Sequence, residues 1–359
     1  MKSALAKEPL VPRFQILVNG SEIPVMIQSH VLEISVEKDT DLPSMFSFEL
    51  ISPEEYQLDP KWIDVQSNLF PIGSDVEIWL GHGNRLHRTI SAEVTTMEPA
   101  FHFSRRARLM VRGYDHAHRL LHGRHTRSFQ QQTDSEIVEL IASNAGLKAI
   151  VSNSEVIHPY VLQANQRDWD FLQQRAKSID YELMVEDAQL FFQPVGNSPK
   201  PVSTLSLSDD LLEFNPRLSS LRQLNEVILS SWDGGEPGGN ALSWSARSPE
   251  LRTAVQPGLS SPDLRGFAGD DAVDLVCDQP VMSLAEAEQV AQARLNQISR
   301  SLLTGAAICV GRPDLCPGGL LRIDDVGQQF GGEYYVRSVS HRFYAGRGYK
   351  THLAIQRFL

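Results

Sequence analysis

The sequence predicts an α+β protein, mainly antiparallel β, with two β-barrel domains and α/β insertions. Three observations predict it. In the first third of the chain, short segments of alternating apolar and polar residues are separated by turn signals. Further along, amphipathic segments carry helix-capping signals. Finally, a group of predicted strands in the first third has a counterpart built to the same plan at the C-terminus.

The repeated plan is a Pro/Gly turn and a first strand, then a loop, a second strand and a closing strand. In the first copy these segments are Pro71–Ile78, Glu93–Met97 and Arg108–Val111, and in the second copy they are Pro317–Ile323, Glu333–Val339 and Thr351–Ile355. A module present twice per chain lets three subunits form a ring of six similar units. The repeat therefore indicates an adaptor between a threefold and a sixfold object.

Residues 1–113 are predicted to form the first barrel, after a loose arm at Met1–Leu10. Asn19-Gly20 is a hairpin turn signal, and Pro53 and Pro60 punctuate a loop. The predicted strands are Phe14–Val18, Val31–Val36, Met45–Leu50 and Val76–Leu80. Short strands with regular turn signals are typical of a small antiparallel barrel or sandwich.

Residues 114–204 are predicted to form an α+β middle domain. Thr133 and Glu136 have the spacing of a capping box, so a helix is predicted to begin near Thr133 and to end at Gly146. Its predicted apolar face carries Ile137, Leu140 and Ile141.

A second helix in this domain is predicted to begin at Asn165. Its apolar side is predicted to carry Trp169, Leu172, Ala176 and Ile179. A hairpin is then predicted from Tyr181–Val185 and Leu190–Phe192, followed by a linker at Pro194–Pro201.

Residues 205–359 are predicted to form the second barrel, with an insertion at about 234–302. The barrel is expected from about 205–233, which includes the strand Asn225–Trp232, and from 303–359. A polar excursion extends to about Gln279. A long amphipathic helix is predicted to begin at Ser283, with Glu286 at the capping-box position, and to end at Gly305. Its predicted apolar face is Leu284, Ala287, Ala291, Leu295, Ile298 and Leu302.

Charge and hydropathy exclude several functional classes. The chain of 359 residues has a net charge of −11, with 44 acidic against 33 basic residues, which argues against a surface that wraps nucleic acid. The short basic run Arg105–Arg108 is interpreted as a solvated strand face. No segment approaches the roughly 20 apolar residues of a membrane span, and the N-terminus lacks a signal peptide. The absence of both signals predicts synthesis in the cytoplasm.

Histidines and cysteines are the candidate metal ligands. Four histidines lie close in sequence at His116, His118, His122 and His125, and two of them are four residues apart. Since no carboxylate stands at the spacing of a metallohydrolase motif, solvated imidazoles are the favoured interpretation. His341 is interpreted as structural. The three cysteines, Cys277, Cys309 and Cys316, are interpreted as buried thiols rather than a disulfide framework or a metal site.

Catalytic motifs are not found in the sequence. No serine lies in a nucleophile elbow, and the glycine-rich run Gly234–Gly239 lacks the Lys and Ser/Thr of a phosphate-binding loop. The carboxylate pairs are adjacent in sequence and do not face one another on regular elements. The sequence therefore predicts no catalytic, cofactor-binding or metal-binding residues, and no cofactor.

Three stretches follow the pattern of a known family. They are Thr126–Val138, Gln163–Leu172 continuing to Tyr181, and a set of segments between Ala285 and Phe343 that includes Gly311–Leu315 and Gly332–Val336. In these stretches the chain resembles the late control protein D family of contractile phage tails and the amino-terminal hub region of VgrG proteins.

The resemblance implies a homotrimeric baseplate hub and not an enzyme. Two tube-protein-like barrels per chain are implied to form a pseudo-sixfold ring. One face is implied to receive the hexamer of the inner tube protein, and the other a trimeric spike, among baseplate wedge proteins. Because the sequence stops at Leu359 without the spike segments of VgrG, the spike is expected to be a separate polypeptide. Neither specific nucleic-acid binding nor membrane insertion is expected.

Two alternative functions stay open at this point: a peptidoglycan-degrading tail enzyme, and a binding module that recruits effectors through the excursion at 236–280. The sequence does not separate a phage tail from a phage-derived injection system, and it assigns no channel, tube or spike contact to particular residues.

Overall fold

The fold is given by a computed structural model. It describes residues 11–53, 68–101, 105–197, 203–219, 221, 224, 226–232, 241–247, 273–277 and 281–357. The predictions made for Met1–Leu10, Pro60, Gly234–Gly239 and most of the excursion at 236–280 lie outside these residues.

The first part of the chain is mainly antiparallel β, as predicted. Its elements are β1 (Pro12–Val18), β2 (Ser21–Glu22), α1 (Val25–Gln28), β3 (Val31–Asp39), β4 (Met45–Ile51), β5 (Asp75–His82), β6 (Arg85–Ala100) and β7 (Arg108–Tyr114). The turn between β1 and β2 is made by Asn19 and Gly20, with φ of 47° and 77°. These positive angles are those of the predicted tight hairpin.

The last part of the chain contributes six more strands to the same sheet. They are β13 (Ser203–Ser206), β14 (Leu211–Leu218), β18 (Leu303–Val310), β19 (Leu320–Asp324), β20 (Gly332–Tyr344) and β21 (Gly348–Arg357). All pairings among them are antiparallel except that of β13 with β19, which is parallel.

The two sets of six strands have the same connectivity. We name β1 and β3–β7 the first repeat, and β13, β14 and β18–β21 the second repeat. In both, the first strand pairs with the fourth, the fourth with the fifth, the fifth with the sixth, the sixth with the third, and the third with the second. The repeat predicted from the sequence is therefore present in the topology.

Two β-bulges fall at equivalent places in the repeats. The second and third strands shift register between Val31 and Glu33 in the first repeat, and between Leu211 and Glu213 in the second. The fifth and sixth strands shift between Val94 and Thr96, and between Val336 and Ser338. Because a bulge bends its strand locally, matching bulges bend the strands of both repeats at equivalent places.

Each repeat closes around a hydrophobic core, and the first core also includes Phe343 and Tyr349 of the second repeat. The first core takes side chains from all six strands, including Ile16 of β1 and Val36 of β3, which lie at opposite ends of the strand order. The second core likewise joins Leu205 of β13 to Leu211 of β14. Since the end strands share one interior, each sheet curls into a barrel-like shape.

The chain between the repeats contains two small sheets and two helices. Its elements are a 3₁₀ helix (His116–Leu121), β8 (His125–Thr133), α2 (Asp134–Asn144), β9 (Lys148–Val151), β10 (Ile157–Gln166), α3 (Asp168–Ser178), β11 (Tyr181–Glu186) and β12 (Gln189–Pro194). β8 pairs with β10, and β9, β11 and β12 form the other sheet. A third core, which includes Trp169 and Phe192, lies among them.

The insertion in the second repeat has a sheet of its own. β15 (Glu226–Trp232), β16 (Ala241–Arg247) and β17 (Val273–Val276) pair with one another and pack on α4 (Leu284–Arg300). The strand Asn225–Trp232 was expected in the second barrel, and that placement is wrong, because β15 pairs only with β16 and β17 among the described strands. The domain boundaries at 113 and 204 stay a prediction.

The predicted helix starts at Thr133 and Ser283 are confirmed. Thr133 and Glu136 make both bonds of the capping box, and Ser283 Oγ accepts from the Glu286 N–H at 3.1 Å. Leu140 and Leu284 are exposed, so their placement on the buried faces is wrong.

The predicted start at Asn165 and the predicted end at Gly305 are also wrong. β10 continues to Gln166 because it stays paired with β8, and α3 begins at Asp168. α4 ends at Arg300, whose guanidinium binds Asp180 and anchors the last turn. Gly305 instead lies within β18.

None of the helices within the described ranges combines the length and apolar character that crossing a bilayer requires.

A substitution at Gly113 tests how the strands of the first repeat pack. Gly113 pairs with Phe46, and at the equivalent position of the second repeat Gly305 pairs with Ile355, so a glycine stands opposite a large residue in each barrel. A Cβ on Gly113 would lie 2.1 Å from the Glu93 carbonyl oxygen and 2.4 Å from the Phe46 ring. We expect Gly113→Ala to lower the free energy of unfolding by about 3 kcal/mol or more.

Denaturant unfolding of the purified chain measures this effect. Gly319→Ala is the control, because its Cβ would meet only the Cys316 carbonyl oxygen at 3.3 Å. Equal stability of the two variants would contradict the packing described for Gly113.

Candidate interaction surfaces and buried polar clusters

The joint between the two repeats is a strand pairing. The second half of β20 pairs with β3 over seven residue pairs, from Ser338↔Asp39 to Tyr344↔Glu33. Phe14 and Phe343 pack edge to face across it, with ring centroids 4.9 Å apart. Arg337 donates to Asp41 at 3.0 Å at one end of the joint. One continuous sheet therefore runs through both barrels.

His341 lies at the centre of this joint and is fully buried. The Tyr349 hydroxyl lies 2.8 Å from His341 Nδ1, and Thr351 Oγ1 lies 3.2 Å from it. Burial lowers the pKa of His341 to about 3, so the ring is neutral in the folded protein. This environment fits the structural role predicted from the sequence.

The middle segment is attached to both repeats close to this joint. Asp41, just after β3, binds Lys177 of α3 at 3.0 Å, and its backbone oxygen accepts from Trp169 Nε1. The Tyr335 hydroxyl of β20 donates to Glu182 of β11. Since the Asp41 contacts attach α3 to the first repeat and the Tyr335 contact attaches β11 to the second, the middle segment is held by both barrels.

A cavity of about 350 Å³ lies where these three parts meet. Asp115 lines it and is buried. Its carboxylate accepts from the N–H groups of Ser44 and Ala117, at 2.9 and 3.0 Å. Burial raises the pKa of Asp115 to about 6, against the opposing effect of these bonds. The carboxylate ties the start of β4 to the 3₁₀ helix.

A buried polar cluster joins α4 to the middle segment. His158 of β10 lies 3.0 Å from Asp134 through Nε2 and 3.1 Å from Glu286 of α4 through Nδ1. Arg175 of α3 also binds Asp134, at 2.5 Å from Nε to Oδ1. Burial would lower the pKa of His158, but the two carboxylates overcome it and raise the pKa to about 9. A doubly protonated ring can donate to both carboxylates.

The sequence did not identify this cluster. Its four members are separated by up to about 150 positions, and only the pairing of β10 with β8 and the packing of α4 bring them together. The position of Glu286 at N3 of α4 was predicted as a helix cap. Its carboxylate instead accepts from the Met282 N–H at 2.8 Å and reaches His158.

Two of the four histidines of the sequence, His116 and His118, lie largely buried beside Glu93, so the prediction of solvated imidazoles is wrong for them. His116 and His118 lie 3.5 and 3.2 Å from the Glu93 carboxylate, and Arg119 also binds it. His116, Glu93 and Asp75 present three ligand atoms within 4.8 Å of one another. Since Arg119 already binds Glu93, this arrangement is explained as a junction between β6 and the 3₁₀ helix.

The cysteines are spread over different surroundings. Cys309 is buried in the second core, and burial raises the pKa of its thiol to about 12. Cys316 is partly buried and Cys277 is exposed, so the prediction of three buried thiols holds fully only for Cys309.

Comparison with known proteins places the chain in a family. A family model described as the Alg8 N-terminal domain matches residues 8–344. The chain belongs to this family. The family description names no activity. No curated protein matches the sequence.

Solved structures with the same fold include phage tail proteins. The 43 kDa tail protein of prophage MuSo2 from Shewanella oneidensis superposes with a TM-score of 0.71 at 14% identity, over 96% of this chain and 98% of that one. A tail protein from Neisseria meningitidis MC58 gives 0.68 at 14% identity, over 97% of both chains.

A third similar structure is the c3393 protein of E. coli. It is described as a component of the type VI secretion system with structural similarity to the T4 bacteriophage tail proteins gp27 and gp5. Its TM-score is 0.60 at 13% identity, over 95% of this chain and 76% of that one. At such low identities the likeness establishes a shared fold, which this member of the Alg8 N-terminal domain family has over nearly its whole length.

The cluster around His158 predicts a pH dependence of stability. Because folding raises the pKa of His158 from 6.5 to about 9, its contribution is complete below pH 6.5 and is lost as the pH rises through about 9. Folding lowers the pKa of Asp134 and Glu286, against burial, through His158 and other partners. Their contribution is lost as the pH falls below about 4.

We therefore expect hydrogen exchange in α2 and α4 to be slowest, after correction for intrinsic rates, between about pH 5 and 6.5, and to accelerate toward pH 9. His158→Gln should remove the alkaline part of this profile. His87→Gln, at an exposed ring outside the cluster, is the control and should leave it intact. An unchanged profile in His158→Gln would contradict the assignment.

Proposed function

We propose that this chain is the structural baseplate hub of a contractile phage tail or of a phage-derived contractile injection system. Three copies form a ring of six barrels that joins the hexameric inner tube to a trimeric spike. In this role the chain would be related specifically to late control protein D and to the hub region of VgrG proteins. Baseplate wedge proteins would surround the ring, and the chain would have no enzymatic activity.

One observation carries the proposal: the two repeats share their connectivity and both bulge positions, and they lie edge to edge in one sheet. Two similar barrels joined side by side are related by a local rotation. If that rotation is near 60°, three chains close a ring with six similar positions. The likeness to tail proteins, and to a protein described as similar to gp27 and gp5, supports the same conclusion.

The described residues also fit a structural role better than the two alternatives. The clustered polar groups are engaged in joints between elements, as with His158 and Asp134 or Arg300 and Asp180. Loss of turbidity in a cell-wall suspension treated with the purified chain would support the peptidoglycan-degrading enzyme instead. The effector-recruiting excursion lies mostly outside the described residues.

The proposal is tested by mass and symmetry. Native mass measurement should find three copies of the 40.1 kDa chain, about 120 kDa, alone or with its spike and tube partners. End-on electron-microscopy averages should show six similar densities around a channel. A ring of another copy number, or particles that assemble normally without the chain, would refute the hub.

A further inference from the structure

The strand edges of the large sheet that have no partner among the described residues include two that belong to long strands. One is the edge of β6 beyond Val94, where β5 has ended, and the other is the edge of β14 opposite β18. Unpaired edges present backbone donors and acceptors that can bind another strand. The question is what pairs with them.

The alternation of hydrogen bonds along β7 shows which residues of β6 have their backbone groups on the open edge. Ser52 donates to the Ala107 carbonyl on the β4 side, so the odd-numbered residues of β7 bond to β4 and the even-numbered ones bond to β6. Met97 and Pro99 stand opposite odd-numbered residues. Their backbone groups therefore face the open edge.

The same reasoning applies to β14. Ser219 donates to the Leu302 carbonyl, on the β18 side. The odd-numbered residues of β14 therefore hydrogen-bond to β18. The backbone groups of Phe214, Pro216 and Leu218 face the open edge.

The pairing of β20 with β3 inside the chain shows which strand can pair with these edges. The bulges make β20 the equivalent of β6 and β3 the equivalent of β14. Gly318 and Gly319 exchange hydrogen bonds with Val336 just before the bulge in β20, as Gly73 and Ser74 do with Val94 in β6. Beyond that point the edge of β20 is occupied by β3. By equivalence, the edge of β6 should be occupied by a copy of β14.

We propose that β6 of one subunit pairs antiparallel with β14 of a second copy of this chain. Transferring the register of β20 and β3 through the bulges fixes the pairs as Thr96↔Ser219, Met97↔Leu218, Glu98↔Arg217, Pro99↔Pro216, Ala100↔Asn215 and Phe101↔Phe214. We call this pairing of β6 with β14 the seam. It adds the contact between subunits to the proposed function, and it rests on that function for the closure of the ring at three subunits.

The paired side chains are complementary in charge and hydropathy. Glu98 stands opposite Arg217, which forms no ion pair with any described residue of its own chain. Leu218 and Phe101 are exposed, with 38% and 53% of their surface accessible, and each meets an apolar partner. Inside the chain, Glu37, the equivalent of Arg217, lies 4.0 Å from Arg342. Ser340, the equivalent of Glu98, stands directly opposite Glu37, so a directly opposed ion pair belongs only to the seam between subunits.

The prolines distinguish the two seams. Pro99 and Pro216 both lack the N–H that would point into the seam, whereas the equivalent residues His341 and Val36 both carry one. The pair Pro99↔Pro216 therefore makes no backbone hydrogen bonds, and the two strands are hydrogen-bonded only on either side of this pair. The contact between subunits is therefore weaker than the contact within the chain, which suits a ring that assembles on its partners.

Disulfide trapping tests the seam. Glu98 and Arg217 form a non-hydrogen-bonded pair, for which a Cα separation of about 4.5 Å suits a disulfide. We expect the double variant Glu98→Cys, Arg217→Cys to give disulfide-linked dimers and closed trimers under mild oxidation, in a background with the exposed Cys277 changed to Ser. The control, Glu98→Cys with Glu213→Cys, moves the second thiol about 13 Å along the strand and should stay uncross-linked.

A charge exchange gives a second measurement. Glu98 also binds Arg112 of its own chain at 3.2 Å, so loss of assembly in Glu98→Arg alone is ambiguous. Adding Arg217→Glu should restore assembly only if the two positions face each other.

The outcomes separate the seam from the hub. Equal cross-linking in the two cysteine pairs, or none in either, overturns the seam. A trimer by mass without the Glu98–Arg217 cross-link overturns the seam and leaves the hub standing. Cross-linked chains that grow without closing at three support the seam and overturn the threefold ring.

Discussion

The pairing of β20 with β3 is the interaction on which the rest of the structure depends. It joins residues about 300 positions apart in sequence and makes one sheet from two barrels. Without it the first core would lose Phe343 and Tyr349 of the second repeat, and the relative orientation of the two repeats would be set only by side chains. Closing so long a loop has a large entropic cost, and seven residue pairs, the buried His341 and the Phe14–Phe343 contact offset it. The attachment of Asp41 to α3 then uses the geometry of this joint.

The bulges explain how one strand serves two neighbours. β20 pairs with β19 before the bulge at Arg337 and with β3 after it, while β21 follows it throughout. The extra residue lets the strand bend between the two partners. β6 has the same break, which is why its second half turns away from β5. A bulge is a backbone feature with no simple signature in side-chain pattern, so its conservation between the repeats appears only in the structure.

Local features of the fold could be predicted from the sequence, and long-range ones could not. The hairpin at Asn19-Gly20 and the caps at Thr133 and Ser283 depend on neighbouring residues, and they are confirmed. The start of α3 was misplaced because pairing of β10 with β8 overrides the local signal at Asn165. The strand at 226–232 has the same pattern as a barrel strand, and only its partners assign it to the insertion. The cluster of His158, Asp134 and Glu286 had no sequence signal, because its members come from separate elements.

The first strands of the two repeats differ in direction: β1 runs antiparallel to β5, whereas β13 runs parallel to β19. The two barrels are therefore alike on five strands and unlike on the sixth. In a ring built from three chains, neighbouring positions alternate between these two forms. A partner made of six identical subunits would meet them in two classes, three of each kind, and its own copies would become inequivalent on contact. The opposite orientations of β1 and β13 are then one source of the asymmetry that such a partner shows near this ring.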